Sequence, residues 1–172
     1  SAEKENIITY LCEETPAIFK THTNYNLTKT LHNKILHDLS TQATMPIHCV
    51  IALVLYYKCS IYIVDLSKNV YLPFVYHEEC PTYIVYKNKS SSPKRKHSDV
   101  SYSIDINQDV LKLNELKTNM YELIHYDKPV KGISTYKITE LQAIAQKLHI
   151  VYDEKIKKTE LYEKIGLQCT WH

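Results

Sequence analysis

The chain has 172 residues, 44% of them hydrophobic and 23% charged, with a formal net charge of +2. That composition suits one globular domain with room for a small appended module. It excludes a glycine-lined phosphate loop, since Gly132 and Gly166 are the only glycines, and it excludes a membrane-spanning helix, since the longest apolar run, Ile47–Tyr57, is too short to cross a bilayer.

In chain order, Glu3–Lys20 begins as a helix that Pro16 ends. Asn26–Ser40 is a second helix, with Leu27, Leu31, Ile35 and Leu39 recurring every four residues between polar ones. Pro46 fits the first turn of a third, running to about Cys59. Val50 to Leu55 are all apolar, so that helix is expected to be buried and central. Three strands follow, Ser60–Leu66, Asn69–Tyr76 and Thr82–Lys87, rich in Tyr, Val and Ile. Lys89–Asp99 is a polar serine and lysine loop, expected to be mobile. Val100–Ile106 forms a fourth strand, and Asp109–Ile124 an amphipathic helix with leucines at 111, 113 and 116. Residues 128–132, with Pro129 and Gly132, make a linker. The expected fold is α+β: N-terminal helices plus a small antiparallel sheet over residues 1–127, then a tail module over 133–172.

In the tail, Thr139 reads as an N-cap with Gln142 three residues on. Leu141, Ile144, Ala145 and Leu148 line one face of the first tail helix. An extended stretch, Val151–Lys155, leads to a second helix with Leu161, Tyr162 and Ile165 as its apolar stripe and Gly166 as its stop. The pattern YKITELQAIAQKLHI (136–150) followed by KKTELYEKI (157–165) resembles the SAP and Rho-termination-factor N-terminal modules. These are helix–extended–helix units that bind DNA or RNA. The phrase KPVKGISTYKITEL (128–141), with IALVLYYKCSIYIVDLSKNVYLPF (51–74) upstream, is similar to uncharacterised proteins of large cytoplasmic DNA viruses that carry such a tail. That resemblance covers roughly residues 45–166. It implies phosphate contacts at the start of the second tail helix, where this chain has Lys155, Lys157 and Lys158. Helix N-terminal N–H groups and nearby lysines both favour phosphate. The plainer reading is a solvated lysine face.

Charge is segregated along the chain. Residues 1–86 carry 6 basic and 8 acidic side chains, and residues 87–97 carry 5 basic and none acidic. Residues 98–127 carry 2 basic and 6 acidic, and residues 128–172 carry 8 basic and 5 acidic. The basic cluster Lys94, Arg95 and Lys96 beside Ser90–Ser92 is either a flexible phosphate contact, a localisation-like patch, or a solvated loop. Five widely spaced cysteines point to free thiols in a reducing compartment, and the first residues lack the apolar stretch of a signal peptide.

Two His/Cys pairs, His77 with Cys80 and Cys169 with His172, would supply four ligands to a structural zinc if they met. Their separation in the chain and ordinary uses for thiols and imidazoles favour no metal. His125-Tyr126-Asp127 has a faint similarity to ovarian-tumour-type deubiquitinases, with Cys12 or Cys49 as the nucleophile. Neither cysteine has that family's flanking residues, and Cys49 sits in an apolar sequence that should bury it. Glu13-Glu14 and Glu78-Glu79 read as surface charge. Tyr62, Tyr71 and Tyr83 read as sheet packing, and Trp171 as a ring able to stack on a base.

The leading expectation is a non-enzymatic viral protein that binds nucleic acid or docks a viral protein through its SAP-like tail. No cofactor is implied. Its setting would be the virion, the genome or the transcription machinery, in the host cytoplasm or the virion. The alternatives are a capsid-associated structural protein whose tail only packs, and a degenerate or active cysteine hydrolase.

Overall fold

Where apolar residues recur at helical spacing in the N-terminal third, the chain is helical. In the computed structural model, which describes residues 1–14, 22–77, 79–89, 100–105 and 110–171, α1 spans Ala2–Glu13, α2 Lys29–Thr41 and α3 Val50–Tyr57. Helix α2 starts three residues later than its apolar period suggests. Thr28 caps it, its hydroxyl accepting the Leu31 N–H at 3.2 Å, while Leu27 stays fully buried just outside. Helix α3 is apolar nearly all round, and Val50, Ile51, Ala52, Val54 and Leu55 are buried. It is shorter than expected. A 3-10 turn, Ile47–Cys49, occupies the stretch after Pro46. At the other end Lys58 takes a left-handed conformation (φ 48°), so that the Cys59 N–H returns to the Val54 carbonyl at 3.2 Å.

Two buried histidines tie these helices together. His32 Nε2 lies 2.9 Å from the Leu11 carbonyl, linking α2 to α1. His48 Nε2 lies 2.8 Å from Asp38 Oδ2, linking the 3-10 turn to α2. Each supplies a polar partner inside a region filled by Ile7, Leu11, Ile35, Leu39 and α3.

Five strands follow: β1 Ser60–Asp65, β2 Val70–Phe74, β3 Thr82–Lys89, β4 Val100–Asp105 and β5 Tyr121–Glu122. Their order in the sheet is β4-β3-β1-β2-β5. The β1–β2 turn uses Asn69 at φ 56° and the Asp65 carboxylate. Asp65 Oδ1 accepts from Ser67 N at 3.1 Å, Ser67 Oγ at 2.6 Å and Lys68 N at 3.2 Å. β3 and β4 pair antiparallel, with Lys87 opposite Tyr102 and Ile84 opposite Asp105.

The expectation of a wholly antiparallel sheet is corrected here, because β5 pairs parallel to β2, Val70 with Tyr121 and Tyr71 with Glu122. Parallel neighbours need a crossover, and α4 (Val110–Asn119) carries the chain from β4 at one edge to β5 at the other. The single helix expected over Asp109–Ile124 is corrected with it. The helix stops at Asn119, after which the Tyr121 N–H bonds Asn69 O at 3.0 Å and the Leu123 N–H bonds Tyr71 O at 2.8 Å. Pairing with β2 buries Leu123 completely; tertiary context has overridden a helical period.

A 3-10 turn at Ile133–Thr135 precedes the last two helices, α5 (Ile138–Lys147) and α6 (Lys158–Cys169). The fold is thus α+β, with N-terminal helices, a mixed five-stranded sheet and C-terminal helices. The chain divides into two compact units, residues 1–62 with 74–83, and residues 63–73 with 84–172. None of the five cysteines is in a disulfide. Among the described residues no helix is long and apolar enough to cross a membrane.

Candidate nucleic-acid interface

The two tail helices meet through residues spaced four apart, Leu141 and Ala145 on α5 against Leu161, Ile165 and Cys169 on α6, all buried. Leu148 is buried just beyond α5. Helix α5 begins one residue before Thr139, so the expected Thr139–Gln142 cap is corrected. Instead the Glu140 carboxylate accepts the Lys137 N–H at 2.5 Å. Lysine has only donors, so the reciprocal half of a capping box is missing. At its far end, His149 adopts φ 55°. The Ile150 N–H reaches Ala145 O at 2.9 Å and the His149 N–H reaches Gln146 O at 3.1 Å, a Schellman arrangement with histidine where glycine is usual.

The link then turns on Asp153, whose carboxylate accepts the Lys155 N–H at 2.8 Å and whose carbonyl accepts the Ile156 N–H at 2.9 Å. This turn holds Lys155 and Lys157 exposed, with Lys158 half-buried in the first turn of α6. Lys157 occupies the N-cap position and offers no side-chain acceptor. The first N–H groups of α6 therefore lack the side-chain acceptor that Ser, Thr, Asp or Asn would supply, and carry the positive end of the helix dipole. Glu160 in the same turn moderates that charge. The stop expected at Gly166 is corrected: the helix runs on to Cys169, because continuing it buries Cys169, and the Thr170 hydroxyl bonds Gly166 O at 2.8 Å.

Hydrogen bonds hold the opposite ends of both helices. The Lys68 ammonium donates to Thr170 O, and the Gln168 amide donates to Lys68 O at 3.3 Å. Asn69 Nδ2 bonds Lys147 O at 2.5 Å and Asn119 O at 3.2 Å. The C-terminal ends of α5 and α6 thus sit on the β1–β2 turn. The lysine-bearing start of α6, twelve residues away, lies about 18 Å off at 1.5 Å per residue.

Beside this anchor is a cluster that sequence reasoning missed. Lys87 and Asp65 are both buried, with Nζ 3.5 Å from Asp65 Oδ2, and the Lys87 ammonium lies 4.6 Å from the ring centre of Trp171. Among the described residues Asp65 Oδ2 has no hydrogen-bond partner in addition to this ion pair. Burial first, opposed by the neighbouring Trp171 and assisted by the Asp65 charge, raises the pKa of the Tyr102 hydroxyl. The only sequence signal was a lysine inside an apolar strand.

The remaining candidates lie as follows. Lys94, Arg95, Lys96 and His172 fall outside the described residues, as does the expected Lys89–Asp99 loop apart from Lys89, which instead ends β3. His77 is exposed, Cys80 Sγ lies 3.4 Å from Ser60 Oγ, and Cys169 is buried, its thiol pushed up to about 12 by desolvation. Among the described residues no three His, Cys, Asp or Glu side chains gather as a metal site. Cys12 is exposed. Cys49 is fully buried, and desolvation, followed by the Asp38 charge, pushes it up to about 11. His125 accepts the Asp127 N–H at 3.1 Å, and burial lowers its pKa. Tyr62 and Tyr71 are buried in the sheet, as packing residues are.

Known protein families, curated proteins and solved structures yield no match to this chain.

Proposed function

We propose that this chain is a non-enzymatic nucleic-acid-binding protein of a large cytoplasmic DNA virus, acting through a SAP-like tail. The observation that supports the reading is the start of α6. Lys155, Lys157 and Lys158 gather at a helix N-terminus without a side-chain cap, on a module held at its other end by Lys68, Gln168 and Asn69. Phosphate is the ligand that such a terminus favours, since backbone donors, dipole and ammonium groups act on it together. Lys94, Arg95 and Lys96 are a second, sequence-based source of phosphate contacts. The anchoring bonds also suit the runner-up, in which the tail only packs against its own sheet.

Fluorescence anisotropy with duplex DNA, on the full chain and on a Lys155→Ala/Lys157→Ala/Lys158→Ala variant, separates the two. Each phosphate contact contributes a slope of about −0.9 in log affinity against log salt, so three contacts give about −3. The variant should bind all sequences more weakly, with a flatter slope. Undiminished binding by the variant would move the activity elsewhere, with the basic loop as the next region to alter. No binding by the unaltered chain would leave the tail as a packing element.

A further inference from the structure

Lys87 and Asp65 stand on neighbouring strands, β3 and β1, and their side chains are 2% and 1% exposed. The two oxygens of the carboxylate are used unequally. Oδ1 accepts from Ser67 N, Ser67 Oγ and Lys68 N at 3.1, 2.6 and 3.2 Å. Among the described residues Oδ2 has no hydrogen-bond partner and faces the Lys87 ammonium at 3.5 Å. The Trp171 ring lies 4.6 Å from that nitrogen, and Tyr102 is opposite Lys87 on β4. A buried ion pair adds little net stability once both charges have lost their water, and the turn is already shaped by the bonds to Oδ1. What remains is an amine held against a carboxyl group in a dry site, with three donors on the oxygen that it does not face.

We propose that Lys87 and Asp65 condense to an isopeptide bond that joins β3 to β1 through their side chains. One ammonium proton passes to Oδ2, the carboxyl oxygen that the turn leaves open, and the desolvated amine is then nucleophilic. Nζ attacks Cγ, one bond beyond Oδ2, and the carbonyl electron pair moves onto Oδ1. The Ser67 and Lys68 donors already aimed at Oδ1 hold the oxyanion. A second proton moves from the nitrogen to Oδ2, the Cγ–Oδ2 bond breaks, and Oδ2 leaves as water. The third proton stays on the amide nitrogen, so atoms and charge balance with no further reactant. The product carries neither of the two buried charges, which favours it in a site that solvates ions poorly. The pair forms with the fold and the bond follows slowly, since only the fraction of molecules with the proton transferred can react. Once made, the bond closes the chain between residues 65 and 87, next to Lys68 and Asn69, which hold the tail helices.

Mass spectrometry of the full chain tests this, on protein kept folded at neutral pH for several days and then denatured. The expected result is a chain lighter than its sequence by the mass of a water molecule. Trypsin should no longer cleave after Lys87, and a single species should join the peptide containing Asp65 to the peptide containing Lys87. Protein held in guanidinium for the same time should keep its full mass, because the two side chains meet only in the fold. Lys87→Arg preserves the cation but offers no nucleophilic amine, and it too should keep its full mass. Trp171 emission, from the only tryptophan, reports whether that variant is folded. Full mass in the folded unaltered chain, water lost within a single peptide as a succinimide, or the same loss in guanidinium or in Lys87→Arg would each overturn the proposal.

Discussion

Replacing Lys87 by methionine removes one charge from a pair whose side chains are 2% and 1% exposed and keeps much of the aliphatic volume. The Asp65 carboxylate then stays buried. Oδ1 keeps its three donors from Ser67 and Lys68, but Oδ2 loses the ammonium 3.5 Å away. Breaking a buried pair from one side costs about 3–5 kcal/mol, and losing the ammonium beneath Trp171 adds about 0.5–2 kcal/mol. Against a total stability of about 5–15 kcal/mol, that loss is large. Adding Asp65→Asn should recover most of it. Asparagine keeps an oxygen for the turn, and removing both charges of a buried pair is often nearly neutral. Trp171 is the only tryptophan and its ring lies over Lys87, so its emission during guanidinium unfolding reports on this unit, with far-UV circular dichroism as the global probe. A loss below about 1 kcal/mol for Lys87→Met would refute the reasoning, because water would then already solvate the pair, and so would a double variant as unstable as the single, because the uncompensated Asp65 charge would then not be the source of the loss.

Three further outcomes follow from the packing. Leu161 is fully buried between the tail helices, so Leu161→Ala should cost roughly 2–5 kcal/mol in denaturant unfolding and lower nucleic-acid affinity by disordering the start of α6. The Cys49, Cys59 and Cys169 thiols are pushed up by burial from 9.0 to about 11, 11 and 12. The folded chain holds these protons longer than the unfolded one, so the stability they add is present below about pH 9 and lost as pH rises through 11–12. Unfolding midpoints should therefore fall between about pH 8 and about pH 10.5, and a thiol reagent at neutral pH should label the exposed Cys12 before these three.

Local periodicity carried much of the fold. Leu27, Ile35 and Leu39 repeat at helical spacing, and the same three are buried. Val50 to Leu55 announce a buried helix, and four of the five strands follow runs of Tyr, Val and Ile. The left-handed positions fall on Asn69, a residue type that tolerates that region, and on Lys58 and His149, which ordinarily avoid it. Their side chains leave no mark in a sequence, because what requires φ > 0 there is a helix end folding back on its own carbonyls.

Of the candidate site, the lysines at the start of α6 were legible, because a helix terminus and its neighbours are adjacent in the chain. What holds the far end of the module was not. Lys68 with Thr170, Asn69 with Lys147, and Lys87 with Trp171 join residues some eighty to a hundred apart. The sequence by itself determined which segments are helix or strand, which faces are apolar, and that the thiols are free. Only the tertiary structure decided that residues 121–122 leave a helical pattern to pair with β2, that α6 runs through Gly166 to bury Cys169, and that Asp65 meets Lys87 under Trp171. Each depends on a partner brought near by the folded chain, and burial against that partner outweighs the weak local preference of the segment itself.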